Sequence, residues 1–142
     1  MAAVERTEVF DAPAERIYQV LIDYASYPEF VDGVTSIEIH HQDETSAKVT
    51  YNLNLIKTFS YTIDLKHEPN HSISWSLVDG DFFKKNNGSW TLRDQGDGTT
   101  EVTYALDLDF KVMVPGMISK KLTKSNLPSM MKSIHKRAKE AQ

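Results

Sequence analysis

A run of alternating strand patterns followed by one long helical pattern constrains this chain more than any other feature. Between Val34 and Phe110, apolar and polar residues alternate in short segments separated by turn residues. Pro115-Gly116 ends this pattern, and residues 117–142 place Met and Leu on one side of a helix and Lys on the other. Such a helix must bury its apolar side, and the apolar face of the strands is the large surface on offer. We therefore expect the helix to lie across a sheet.

The alternation has a two-residue period, which is typical of strands with one buried and one solvated face. It is clearest over residues 47–55 and 59–66, and Gln95-Gly-Asp-Gly98 is a strong hairpin signal. Short turns between neighbouring strands favour antiparallel pairing. Together with a first strand at Ala3–Phe10, the pattern predicts a seven-stranded antiparallel sheet that twists and curves.

Two short helices are predicted between the first strand and this meander. Asp11 is expected to cap a helix that runs from about Pro13 to Tyr24, and residues 26–30 form a shorter second helix. Because the helices lie outside the strand run, the predicted fold class is α+β. The length of 142 residues predicts one domain that spans residues 1–142.

Composition excludes several kinds of site. The chain has no cysteine, which excludes disulfides, a thiolate nucleophile and a cysteine-ligated zinc site. His40 and His41 are adjacent in a strand and point to opposite faces, so we expect no metal site. We expect His135 at a solvated helix position, and we find no motif that indicates an enzyme. Because we see neither a secretory signal nor a membrane span, we expect a cytoplasmic protein.

The positive charge is concentrated at the end of the chain. Residues 1–110 carry a net charge of −11, whereas residues 111–142 carry +7. One interpretation is that the basic residues solvate the helix and favour its dipole. The other is a docking surface for anionic lipid, an acidic protein or RNA, which would place the protein peripherally at the inner membrane face or on a ribosome. The candidate docking residues are Lys120, Lys121, Lys124, Lys132 and Lys136.

The apolar face of the predicted sheet is rich in Tyr and Trp, whose polar groups need partners when they are buried. These residues form either an ordinary core or a mostly apolar pocket for a small molecule. Pro128 predicts a bend in the closing helix, and a bent helix with adaptable Met side chains leaves room for a pocket. The candidate cavity residues are Tyr51, Leu53, Tyr61, Ile63, Trp75, Leu77, Phe83, Trp90, Tyr104, Leu106, Met117, Leu127, Met130 and Met131. The candidate mouth residues are Tyr27, Phe30 and Val31.

Several short motifs resemble those of a known family. They are Phe10-Asp-Ala-Pro-Ala-Glu15, Tyr24 with Tyr27-Pro-Glu-Phe-Val31, Gly88-Ser-Trp90, and Val114-Pro-Gly116 with the lysine-rich helix. The chain resembles the START-like helix-grip (SRPBCC) superfamily of polyketide cyclases, birch-allergen (Bet v 1) proteins and lipid-transfer domains. Within it, the chain is most similar to the coenzyme Q-binding, Coq10-type branch. The resemblance implies a curved sheet wrapped around a long C-terminal helix, and a cavity for a polyprenyl quinone, lipid or polyketide.

Three functions remain open at this stage. The first is a non-catalytic carrier of an isoprenoid quinone or lipid, with no cofactor beyond that ligand, supporting respiratory quinone function. The second is a cyclase or dehydratase, for which Tyr51, Tyr61 and Tyr104 are the inward-facing candidate acids or bases. The third is an interaction protein, because the resemblance includes relatives that associate with the ribosome, and the basic helix suits an RNA contact.

Overall fold

The computed structural model describes residues 2–55, 57–111, 116–120 and 126–140. A 3-10 turn at Tyr24–Ser26 joins the first two helices. The strands are β1 (Ala2–Phe10), β2 (Val34–Gln42), β3 (Ser46–Leu55), β4 (Lys57–Glu68), β5 (Ser72–Gly80), β6 (Phe83–Asp94) and β7 (Thr100–Phe110). The helices are α1 (Ala14–Ile22), α2 (Tyr27–Phe30), α3 (Gly116–Lys120) and α4 (Asn126–Glu140).

The strands form one seven-stranded sheet in the order β1-β7-β6-β5-β4-β3-β2. All neighbouring strands pair antiparallel. The two-residue period places the apolar residues of each strand on one face. In β3 and β4, for example, Val49 lies opposite Ile63 and Tyr51 opposite Tyr61. The predicted α+β helix-grip fold is therefore confirmed.

Strands β5 and β6 pair over only part of their length. Their pairing runs from Ser72 opposite Thr91 to Trp75 opposite Gly88. Beyond Trp75, β5 continues along β4, and the part of β6 before Gly88 continues along β7. Each of these outer ladders also contains a register shift, and such irregularities bend strands. The sheet therefore opens between β5 and β6.

Asp11 does not cap helix α1, so that prediction is wrong. The N-cap is Pro13, and no side chain bonds to the free N–H groups there. The Pro13 carbonyl accepts hydrogen bonds from the N–H groups of Arg16 and Ile17. Asp11 lies two residues too early, and its own N–H donates to Nε2 of His135 at 3.0 Å.

Helix α4 is held by its apolar stripe and by His135. Met131, Ile134 and Ala138 are fully buried, and the helix packs against α1 and α2. The ring of His135 stacks on Phe10, with ring centroids 4.5 Å apart and planes inclined by 3°. The prediction that His135 is solvated is therefore wrong, because the ring fastens α4 to the turn between β1 and α1. The predicted bend at Pro128 depends on residues 121–125, which lie outside the described residues.

Candidate functional site

A cavity of about 110 Å³ lies on the apolar face of the sheet, covered by α1, α2 and α4. Its walls are mostly apolar with a few polar groups, as in small-molecule sites, although such sites more often measure about 300–1,000 Å³. The lining residues are Leu21, Tyr24, Tyr27, Val31, Asp32, Val34, Tyr51, Leu53, Tyr61, Ile63, Leu65, Ile73, Trp75, Phe83, Asn86, Trp90, Tyr104, Leu106, Leu108 and Met130.

Most of the candidate site residues meet around this cavity. The ten candidate cavity residues in its lining are Tyr51, Leu53, Tyr61, Ile63, Trp75, Phe83, Trp90, Tyr104, Leu106 and Met130. Tyr27 and Val31, two of the candidate mouth residues, also line it but are buried. Asp32 is the exposed member of the described lining, so the cavity reaches the surface beside the turn between α2 and β2.

Four of the candidate site residues lie outside the cavity lining. Met117 is 66% exposed on α3, and Met131 is fully buried with Ile134 and Ala138 on the part of α4 that packs in the core. Leu77 packs half-buried against the core in the part of β5 that no longer pairs with β6. Phe30 lies beneath the guanidinium of Arg137, 5.0 Å from its ring centroid. The side chain of Leu127 lies outside the described residues.

Asn86 is a lining residue that the sequence reasoning missed. It is 4% exposed and shares the inward face of β6 with Trp90 and Leu92, where its neighbours across the sheet are apolar. A polar residue at an inward position of an alternating strand was the available signal, because burying an amide costs free energy unless it is hydrogen-bonded. Tyr24, Asp32 and five further apolar lining residues were also missed.

Tyrosine side chains form one wall of the cavity. The rings of Tyr51 and Tyr61 stack at 5.2 Å, and Tyr27 meets Tyr51 edge-on at 5.9 Å. The Tyr27 hydroxyl donates to the Leu21 carbonyl at 2.6 Å. The hydroxyls of Tyr51, Tyr61 and Tyr104 make no hydrogen bond to any described residue. Among the described residues, no partner competes with a ligand for these three phenol groups.

These phenols are neutral hydrogen-bonding groups. Burial raises the pKa of Tyr61, and it raises the pKa of Tyr51 and Tyr104 together with the neighbouring tyrosines. A phenol whose pKa lies above the usual value of about 10 keeps its proton at physiological pH. These three side chains suit hydrogen bonds to a ligand oxygen better than proton abstraction.

The indole of Trp75 lies against strand β6, where Gly88 leaves room for it. A Cβ atom at Gly88 would stand 2.8 Å from Cε2 of Trp75 and 2.6 Å from the carbonyl oxygen of Ala105. Real Cβ atoms do not approach other atoms so closely, so this position requires glycine. The Trp75 Nε1–H donates to Oδ1 of Asn86 at 3.1 Å.

A buried histidine supports the cavity wall from behind. Tyr24 lines the cavity, and its hydroxyl is 2.8 Å from Nε2 of His67. His67 is 5% exposed, and its ring meets that of Tyr18 edge-on at 6.3 Å. Burial lowers the pKa of His67, although hydrogen bonding to the Asp43 backbone and the Asp43 charge oppose this effect. His67 therefore favours the neutral form.

The candidate docking residues are only partly described. Lys120 lies on α3, Lys132 and Lys136 lie on α4, and all three are exposed, whereas Lys121 and Lys124 fall outside the described residues. None of the helices within the described ranges is long and apolar enough to cross a bilayer. In the same ranges, no three His, Cys, Asp or Glu side chains are grouped to hold a metal ion.

Comparisons with known proteins point to one family. The family model for polyketide cyclase / dehydrase and lipid transport matches residues 10–134. The chain is 29% identical to the ribosome association toxin RatA of Escherichia coli (strain K12) over 143 residues, which cover 99% of this chain and 89% of that protein.

Two solved structures share the fold. The Zhui aromatase/cyclase from Streptomyces sp. R1128 matches with a TM-score of 0.87 and 15% identity, covering 98% of this chain and 94% of that one. A START superfamily protein from Mycobacterium smegmatis matches with a TM-score of 0.84 and 21% identity over 99% of both chains. The resemblance to the START-like superfamily is thereby confirmed, and the Coq10-type branch stays a prediction.

Proposed function

We propose that this chain, which belongs to the polyketide cyclase / dehydrase and lipid transport family, binds or transports a hydrophobic small molecule in its cavity without converting it. An isoprenoid quinone or a lipid is the ligand class, and residues 1–142 act as one binding module. The observation that carries the proposal is a mostly apolar cavity lined by three tyrosines whose hydroxyls make no hydrogen bond to any described residue.

The chemistry of the lining favours binding over catalysis. General acid–base catalysis works best with a group whose pKa lies near the operating pH. Burial holds the pKa of Tyr51, Tyr61 and Tyr104 well away from neutrality. The carboxyl of Asp32 lies exposed at the rim of the cavity rather than inside it.

The size of the cavity suits the head of such a ligand. An apolar cavity of about 150 Å³ holds a benzene ring, and the present cavity measures about 110 Å³. A ring-sized head group with a small outward adjustment of the walls fits this space, whereas a long prenyl chain does not. We infer that the hydrocarbon tail of the ligand leaves the cavity beside Asp32 and Met130, where the lining residues reach the protein surface.

Extraction of the natural ligand tests this function. Protein purified from a quinone-containing bacterial host is analysed by native mass spectrometry and by lipid extraction, before and after incubation with a short-chain benzoquinone. We expect a bound quinone or lipid at one molecule per chain. A protein that is empty after purification and takes up neither a quinone nor a lipid would contradict the proposal.

A pair of variants locates the bound molecule. Leu106→Phe adds volume at the lining, whereas Thr91→Phe adds it on the exposed face of β6. We expect the first variant to lose the ligand and the second to keep it. Equal retention by both would place the ligand outside this cavity.

The basic face of α4 favours a second candidate function, an association with the ribosome. Lys132, Lys136 and Lys139 are exposed on α4, whereas Met131 and Ile134 are buried. A relative that is 29% identical carries the name ribosome association toxin. Clustered lysines on one face bind phosphates, and such binding weakens steeply with salt.

Co-sedimentation with ribosomal subunits at increasing salt tests this second function, with vesicles of anionic phospholipid as a parallel arm. We expect Lys132→Glu with Lys136→Glu to abolish the ribosome contact. Lys48→Glu with Lys66→Glu, on the exposed face of the sheet, serves as the matched control. If ribosome binding survives Lys132→Glu with Lys136→Glu, this helix face is not the ribosome contact. If the protein binds the vesicles and not the ribosomal subunits, the face is assigned to membranes.

A further inference from the structure

The Trp75–Asn86 pair fixes the direction of a buried hydrogen-bond donor. An indole N–H can donate a hydrogen bond but cannot accept one. The Asn86 atom that it contacts at 3.1 Å must therefore be the carbonyl oxygen Oδ1. The two ends of an amide are hard to tell apart by shape, and here the partner decides between them. The other end of the Asn86 side chain is consequently the Nδ2 amino group, which donates hydrogen bonds.

That amino group has no hydrogen-bond partner among the described residues. Asn86 is 4% exposed and lines the cavity, and Nδ2 makes no hydrogen bond within the described part of the chain. Nδ2 is also not fully enclosed in the core. Among the described residues, the side-chain polar atom that is both fully enclosed and without a partner is Oδ1 of Asp107. The donor therefore faces the space of the cavity. A buried donor without a partner is unfavourable, and an incoming acceptor removes that penalty.

Three aromatic rings line the cavity beside this donor. The Trp75 ring lies 5.6 Å from that of Tyr104, which in turn lies 4.5 Å from that of Trp90. The Tyr104 hydroxyl is likewise without a described partner. Two hydrogen-bond donors and three aromatic side chains thus lie in one part of the cavity, and they can contact a planar ring that bears an oxygen acceptor.

We propose that Asn86, oriented by Trp75, is a specificity-determining residue that selects ligands with a carbonyl oxygen on a planar ring. The inference rests on the proposed small-molecule binding and narrows the ligand class to ring carbonyl compounds such as quinones. A site built to hydrogen-bond one group discriminates strongly against analogues that lack it, because its own buried donor is then left unpaired.

Two probes of matched shape test the selection. One is a benzoquinone that carries one prenyl unit, and the other is a 1,4-dimethylbenzene with the same prenyl unit, in which methyl groups replace the carbonyl oxygens. Quenching of Trp75 and Trp90 fluorescence, checked by calorimetry, reports binding because both indoles line the cavity. We expect the unmodified protein to bind the quinone at least about tenfold more tightly, the factor that corresponds to about 1.4 kcal/mol.

Neighbouring asparagines provide a matched pair of variants. Asn86→Leu removes the inward amide, whereas Asn87→Leu removes an amide on the opposite face of the same strand. We expect Asn86→Leu to weaken quinone binding about tenfold or more and to leave the dimethylbenzene probe unchanged or tighter. Asn87→Leu should behave like the unmodified protein.

The outcomes separate this inference from the proposed function. Equal binding of the two probes, or an unchanged quinone affinity in Asn86→Leu, would overturn the role of Asn86 while leaving small-molecule binding intact. Failure of the unmodified protein to bind either probe would overturn both. If Asn86→Leu does not fold, the side-chain amide signals of Asn86 in the unmodified protein are followed by nuclear magnetic resonance. They must shift with the quinone and not with the dimethylbenzene, and any other result contradicts the inference.

Discussion

The indole Nε1–H of Trp75 donates to Oδ1 of Asn86 at the place where strands β5 and β6 stop pairing. The last backbone pair of these strands is Trp75 opposite Gly88. Beyond it, this side-chain hydrogen bond joins the two strands. The same hydrogen bond positions the Trp75 ring in the cavity wall. Both the stability of the sheet and the shape of the cavity therefore depend on it.

Gly88→Ala is expected to displace the Trp75 indole into the cavity. The new methyl group would overlap the ring and the Ala105 carbonyl, and overpacking of this kind costs about 1–3 kcal/mol. Urea unfolding measures the loss of stability, and quinone binding should fall in the same variant. Gly116→Ala is the control, because a Cβ there meets no atom of the described residues within 4 Å. Equal stability of the two variants would show that Trp75 does not depend on Gly88.

Two tyrosine variants separate structural hydroxyls from those available to a ligand. Tyr27→Phe leaves the buried Leu21 carbonyl without its partner, so we expect a loss of about 1–2 kcal/mol in the free energy of unfolding. Tyr104→Phe removes a hydroxyl with no described partner, so stability should change by less than about 0.5 kcal/mol. Denaturant unfolding of both variants measures the difference. Similar losses in the two would mean that the Tyr104 hydroxyl is already engaged in the free protein.

Stability should depend on the protonation of His67. Burial lowers its pKa in the folded state, whereas the unfolded chain has the ordinary value of about 6.5. As the pH falls below about 6.5, the unfolded state binds the proton first, so the free energy of unfolding decreases until the pH passes the lowered folded pKa. We expect His67→Gln to flatten this part of the stability profile. His40→Gln, at an exposed strand position, should retain it, and an unchanged profile in His67→Gln would refute the linkage.

Two methionines of the closing segment should differ sharply. Met131 is fully buried and Met117 is 66% exposed. Met131→Ala removes buried volume beneath α4, and we expect it to cost about 2–5 kcal/mol. Met117→Ala should change stability by less than about 0.5 kcal/mol. Thermal or urea unfolding decides, and a large loss in Met117→Ala would mean that α3 packs against apolar surface in solution.

The strand pattern was enough to predict most of the strand residues that line the cavity. In β3 and β4 the apolar residues recur at every second position, and one face of a sheet collects them irrespective of the details of packing. Tyr51, Tyr61 and Ile63 could therefore be placed on the cavity side from sequence. The same reasoning failed for Leu77. The alternation of apolar and polar residues continues along β5 to Leu77, but β5 no longer pairs with β6 there, and Leu77 is absent from the cavity lining.

Helical periodicity determined less. It indicated that α4 has an apolar stripe, yet Met130 lines the cavity while Met131 is buried in the core. Adjacent residues differ by about 100° around a helix, so a small rotation exchanges their surroundings. That rotation is set by partners distant in sequence, among them Asp11 and Phe10, which hold His135 in place.

The sequence by itself determined the order of the elements, the antiparallel sheet and the apolar character of its inner face, because these follow from local periodicity. The tertiary structure alone decided which polar groups the cavity presents. Trp75, on another strand, occupies the oxygen of Asn86 and leaves the amino group as the end of the amide without that partner, and Trp75 can lie there because position 88 has no side chain. Hydrogen bonds and steric overlaps of this kind depend on the positions of atoms in space, which periodicity along the chain does not specify.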